Sequence, residues 1–231
     1  MCIAPVATAS HGKLRVAFGP FVAEALGTAA FAGFAAAGSH LLGEMVVRDW
    51  RGCVDELQEG RCDLAVTDLA SELASEKLDG EPLGAMPARF YCCPGHPLAE
   101  RAEVTWTDVA SYPWALTRMQ GRIAQKIPVP LSDAGRIDPE TGDFVPAICV
   151  ESVSAMKAAV GEGRAVSVAP PGFLQPELAC GALRLLPLHA PWLRISYGLL
   201  WRRDTPPKGR LAEFVSILRE RQGRLDRPPQ G

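Results

Sequence analysis

With 231 residues, 48% of them apolar, the chain is long enough to bury one large or two small α/β cores and too apolar to stay disordered. Its formal charge of -2 lacks the Lys and Arg excess of a broad phosphate-binding surface, so this segment is not expected to grip DNA alone. Cys2, Cys53, Cys62, Cys92, Cys93, Cys149 and Cys180 are scattered with no CxxC pair, which argues against a disulfide framework and for reduced cysteines acting as small hydrophobes. The start, MCIAPVATASHG, has no basic region or apolar run of a signal peptide, and no later stretch approaches a membrane span. A cytoplasmic protein without a membrane partner is expected.

Leu14 to Phe18 reads as a strand, followed by Gly19-Pro20 and a helix from Phe21 to about Ala36 with Val22, Leu26, Ala30 and Phe34 at helical spacing. Glu44 to Asp49 is a second strand, Trp50 to Glu59 a short helix, and Asp63 to Thr67 a strand apolar enough to be covered on both faces. This βαβαβ order predicts a parallel sheet with its ligand edge at Gly19, Pro20, Thr67 and Asp68. Ser71 to Pro82 is polar and Pro82 to Cys93 extended, marking a crossover into a second unit.

Pro94-Gly95-His96-Pro97 is a turn in which His96 is expected to be solvated. Thr107 to Ala110 forms a helical turn, Trp114 to Thr117 a strand and Gln120 to Ile127 a helix. Next, CVESVSAMKAAVGEGRAVSVAPP (Cys149 to Pro171) supplies a compact βαβ unit. Ser152 stands as its N-cap, Val153, Met156 and Val160 share one face, and Gly161 and Gly163 end the helix. Free N–H groups at such a helix start suit a small anion. Ala182 to Leu186 and Ile195 to Trp201 read as strands, and Lys208 to Gln222 as an amphipathic helix before a fraying tail.

LQEGRCDLAVTD, FYCCPGHPLA, ESVSAMKAAVGEGRAVSVAPP and SYGLLWRRD, in that order and spacing, resemble the effector-binding domain of LysR-type transcriptional regulators from Gly12 to about Arg221. The resemblance implies an α/β, type 2 periplasmic-binding-protein-like fold, with two Rossmann-like lobes, an interlobe cleft and two crossover segments. Residues 13–86 with 196–223 would form lobe 1 and residues 87–195 lobe 2, between flexible termini at 1–12 and 224–231. Members carry a winged helix-turn-helix and a linker helix ahead of this domain. Here twelve residues precede Lys13, so DNA is expected to be reached only through a domain outside this chain. Side-by-side dimers or tetramers are implied as well.

By that resemblance, a small carboxylate or aromatic effector is held by Phe18, Gly19, Pro20, Phe21, Thr67, Asp68, Thr117, Arg118, Ser152, Val153 and Pro170. The first turn, Gly-Pro-Phe, lacks the family's usual hydroxyl. Arg118 suits a bidentate carboxylate contact, or serves as a surface arginine. Ser152 suits an anion or a plain cap, Asp68 the cleft or a turn, and Phe18 and Phe21 a ligand wall or the core. His11, His40, His96 and His189 follow no metal spacing, and HExxH, GxSxG and the Walker lysine loop are missing, so no metal, cofactor or catalytic residue is expected. Two rivals share the fold: a solute-binding protein of a transport system, which needs export, and a lyase or dehydratase. The enzyme needs an acid–base pair, for which Asp68 and Glu151 are the obvious carboxylates.

Overall fold

A computed structural model of the chain describes residues 13–37, 42–69 and 77–226. β1 (Lys13–Phe18) alternates, sending Leu14, Val16 and Phe18 into one apolar cluster and Ala17 into another. A helical run follows, from α1 (Pro20–Val22), with proline in its first turn, through a π-helical stretch at Ala23–Gly27 to α2 (Thr28–Ala36). At Gly27 a Cβ would lie 2.9 Å from Met45 Sδ and 3.3 Å from the Phe18 ring, so a side chain there would lift the π turn off the sheet.

β2 (Leu42–Val47), α3 (Trp50–Gln58) and β3 (Leu64–Thr67) come next. β2 lies two residues before its expected place, because Asp49 is taken up as the cap of α3, accepting from Gly52 N at 2.8 Å. β1 pairs in parallel with both β2 and β3, as the βαβαβ order predicts. β3 is covered on both faces, Leu64 and Val66 facing one cluster and Ala65 the other. β4 (Leu78–Pro87) begins inside the polar stretch expected to start the crossover. It closes one side of the sheet, where it pairs with a late strand, Arg194–Arg202, that lies between it and β3, and an edge position tolerates Pro82 and Pro87.

The second lobe is built from shorter pieces. β5 (Arg89–Cys92) leads to α4 (Trp106–Ala110), held by a capping box between Thr105 and Asp108, then β6 (Ala115–Leu116) and α5 (Gly121–Ala124). β7 (Gly135–Ile137) and β8 (Phe144–Pro146) form a hairpin, and β9 (Ile148–Cys149) pairs in parallel with β6. α6 (Val153–Gly161) is capped by Ser152, whose Oγ accepts from Ala155 N at 3.0 Å. β10 (Ser167–Ala169), a 3-10 turn at Pro171–Leu174, α7 (Gln175–Ala179) and β11 (Arg184–Leu185) complete the lobe. β5 lies between β10 and β11, and Ala115 N donates to Val166 O at 3.0 Å, stitching β6 to the same row.

β12 (Arg194–Arg202) returns to the first sheet, antiparallel to both β3 and β4. α8 (Arg210–Leu225) then buries Phe214, Val215 and Leu218 in the cluster that holds Phe18 and Phe34. Cys53, Cys62, Cys92 and Cys93 are buried free thiols; Cys149 and Cys180 are free and exposed. Burial pushes the Cys62 thiol up to about 11 and Cys92 to about 12, far from reactive thiolate. His96 contradicts its expected solvation: it is 2% exposed, lies against the Tyr112 ring at 4.4 Å, and accepts at Nδ1 from Leu98 N at 3.1 Å. The turn phrase hid this because the ring itself ties the turn together, leaving Nε2 to donate to Arg164 O at 3.3 Å.

Candidate ligand-binding site

Where the lobes meet, the strand ends line a half-open cavity of about 140 Å³. From the first lobe come the turn Gly19, Pro20, Phe21 and Val22, the β3 end Thr67 and Asp68, and Trp50 at the start of α3. Gly19 N donates to Val66 O at 3.0 Å, which keeps the turn against the end of β3. From the second lobe come Leu116 at the end of β6, Thr117, Arg118, Met119 and Gln120 in the turn that follows, and Ile123 on α5. Phe90, Trp106, Trp114 and Val168 add apolar wall, and Trp192 to Tyr197 line it where the chain crosses back.

The walls are chiefly aromatic. Trp106 and Trp192 stack at 5.4 Å with planes 13° apart, while Phe90 meets Trp106 and Trp114 edge-on at 5.6 and 5.0 Å. Such surfaces hold a flat or apolar body without ordering flexible side chains.

Charged pairs join the lobes, and two of their members, Arg118 and Asp68, reach the cavity lining. Arg118 Nε is 3.5 Å from Asp49 Oδ2 of the first lobe, and its Nη1 donates to Asp138 Oδ2 at 3.1 Å. Arg122 on α5 pairs with Asp68 at the end of β3 and donates through Nε to Gln120 Oε1 at 2.6 Å. Arg51, whose guanidinium lies 4.5 Å over the Trp50 ring, pairs with Asp143 at 2.5 Å, and Asp49 N donates to Glu151 Oε1 at 3.3 Å. The Asp138 carboxyl is held below its ordinary range chiefly by the Glu140 N–H, with Arg118 and Thr141 adding to it.

Of the residues expected to form the site, Gly19, Pro20, Phe21, Thr67, Asp68, Thr117 and Arg118 are brought together on this cavity. Phe18 lies in the first-lobe core, Val153 is buried under α6, and Pro170 heads the 3-10 turn; none is part of the lining. Ser152 is also outside it, and its hydroxyl is engaged as a cap. Trp50, Gln120, Arg122 and the Trp106–Trp192 pair were not singled out by sequence. The tryptophans carry the one usable signal, since Trp106 and Trp192 stand at an N-terminal helix turn and in a proline-broken loop, away from any apolar period.

Residues 7–223 match the model of the LysR substrate binding domain. The chain belongs to this family. Its LysR-type fold is also that of solved regulatory domains. It superposes on that of MetR, a LysR family regulator from N. meningitidis, with a TM-score of 0.67 and 24% identity, over 94% of this chain and 97% of the other. For the CrgA regulatory domain of N. meningitidis the TM-score is 0.63 at 17% identity, over 92% and 99% of the two chains. A Pseudomonas protein described as the SDS degradation transcriptional activation protein is 31% identical over 196 residues. That match covers 83% of this chain and 61% of the relative's length. The matched span thus identifies the chain as a LysR substrate binding domain.

Proposed function

We propose that this LysR domain senses a small molecule held in the cavity between its lobes, residues 13–86 with 196–223 and residues 87–195. Occupancy alters lobe closure or the packing of neighbouring subunits, and so the placement of DNA readers attached to the domain. The observation that carries this reading is that both lobes and the crossover contribute to one apolar cavity, with ion pairs from each lobe meeting at its rim. Signalling requires the effector to bind one arrangement of the lobes more tightly than the other. Arg118 and Arg122, paired across the lobes, are the contacts whose strength depends on that arrangement.

The relatives are regulators, which favours sensing over catalysis and over solute transport. Asp68 and Glu151, the carboxylates an enzyme would need, are engaged with Arg122 and the Asp49 amide. The regulator is expected to work in the cytoplasm as a dimer or tetramer; no described helix is long and apolar enough to cross a membrane.

A thermal-shift screen against small metabolites tests the site, because a ligand that binds only the folded state raises the midpoint with concentration. Ile123→Trp, which fills the cavity, should abolish the shift. A hit that shifts wild type and Ile123→Trp equally would place the effector elsewhere.

A further inference from the structure

Three of the residues lining the cavity carry polar atoms that no protein group satisfies. Trp50 Nε1, Thr117 Oγ1 and Gln120 Nε2 are buried and without a partner. Gln120 is 3% exposed, and the bond from Arg122 Nε to its Oε1 fixes the amide so that the –NH₂ is left over. An indole N–H likewise only donates, so at least two of the three groups lack an acceptor. A buried donor in this state carries an unrecovered desolvation cost, which a ligand oxygen relieves once a side-chain rotation brings the donor to the cavity surface.

The surrounding charges decide what kind of oxygen that is. Arg118 is held between Asp49 and Asp138, and Arg122 is paired with Asp68. Arg194, at the rim, is exposed and donates to Ala85 O at 3.2 Å, in water that screens its charge. An entering carboxylate would meet cations already engaged by three carboxylates and would lose its own hydration without a matching gain. A neutral oxygen uses the same donors and avoids that loss. The cleft is half open, and the space it offers a ligand body, about 140 Å³, is close to the apolar cavity of about 150 Å³ that holds a benzene molecule in another protein.

We propose that the effector is uncharged: an apolar body about the size of a six-membered ring, bearing a neutral carbonyl or hydroxyl oxygen. This rests on the cavity being the effector site, and it departs from the carboxylate that the resemblance alone implies.

Probes matched in skeleton and differing in charge test it on the full chain. Acetophenone and benzyl alcohol are compared with benzoate and phenylacetate, following the indole N–H resonances of the five tryptophans by NMR. The neutral probes should move the Trp50, Trp106 and Trp192 signals, and the carboxylates should bind at least about tenfold more weakly. Thr117→Val, nearly isosteric, and Trp50→Phe should each weaken the neutral probes about three- to tenfold.

If the carboxylates bind as tightly, and Arg118→Ala or Arg194→Ala abolishes that binding, the uncharged assignment is overturned while the site stands. If both variants keep wild-type affinity for the neutral probes, the assigned donors are wrong. If no probe of either charge moves a cavity tryptophan, the site reading falls and takes the assignment with it.

Discussion

Arg51 on α3 donates through Nε to Asp143 Oδ2 at 2.5 Å, a charged bond between the lobes whose acceptor side chain is only 4% exposed. Arg51→Ala leaves that carboxylate buried without its counterion. The expected loss is about 1–3 kcal/mol, less than for a fully buried pair because the arginine side is partly hydrated. Urea denaturation of Arg51→Ala, Asp143→Ala and the double variant checks it. The double variant should lose less than the sum of the singles.

Ser152 accepts from Ala155 N and stands outside the cavity lining. Ser152→Ala should therefore lower stability by about 1 kcal/mol and leave effector affinity unchanged. Calorimetric titration of any hit against the variant separates capping from sensing. A drop in affinity with unchanged stability would show that the serine contacts the ligand.

His96 carries a pH dependence of its own. Burial disfavours the imidazolium and lowers its pKa from the ordinary 6.5, against a smaller opposing effect from the Arg164 carbonyl. Above 6.5 the ring is neutral in both folded and unfolded chains, and nothing is lost. As the pH falls below that value the unfolded chain takes up the proton first, so stability declines until folded His96 also protonates. Asp108, Asp138 and Glu177, held below their ordinary values of 3.8 and 4.5, lose their contributions only at lower pH. His96→Asn should flatten the melting temperature between about pH 7 and pH 5.

At Gly198 a Cβ would stand 2.2 Å from Glu81 O and 2.1 Å from Leu69 Cδ1. Gly198→Ala has backbone in its way, and a cost of about 3 kcal/mol or failed folding is expected. Gly161, at the end of α6, has nothing within 4 Å, so Gly161→Ala should instead stabilise by about 0.5–1 kcal/mol. Denaturation of the two variants side by side gives opposite signs.

Periodicity carried the first lobe well, because Val16, Phe18, Leu64 and Val66 are strand residues whose alternation or apolar run is dictated by burial. It carried the βαβ unit around Ser152 equally well, through cap, apolar face and glycine stop. It failed where geometry is set by distant partners. β4 carries Asp79 and Glu81 in its first half and holds two prolines, yet it is a full strand because β12, over a hundred residues later, supplies its pairing. The cavity follows the same division: turns at strand ends were legible, whereas the Asp49–Arg118 and Asp68–Arg122 pairs depend on how two lobes face each other. No local pattern encodes that.

Both passages between the lobes leave from one paired ribbon. Pro87 of β4 lies opposite Arg194 of β12, and Ala88 N continues the pairing to Leu193 O at 2.9 Å. A doubled hinge of this kind resists a free swing and yields more readily to twist about its own length. Its lining residues Leu193, Arg194 and Ile195 place the axis at one wall of the cavity. On the proposed reading, a ligand resting against this wall would bear on the same paired ribbon that joins the two lobes.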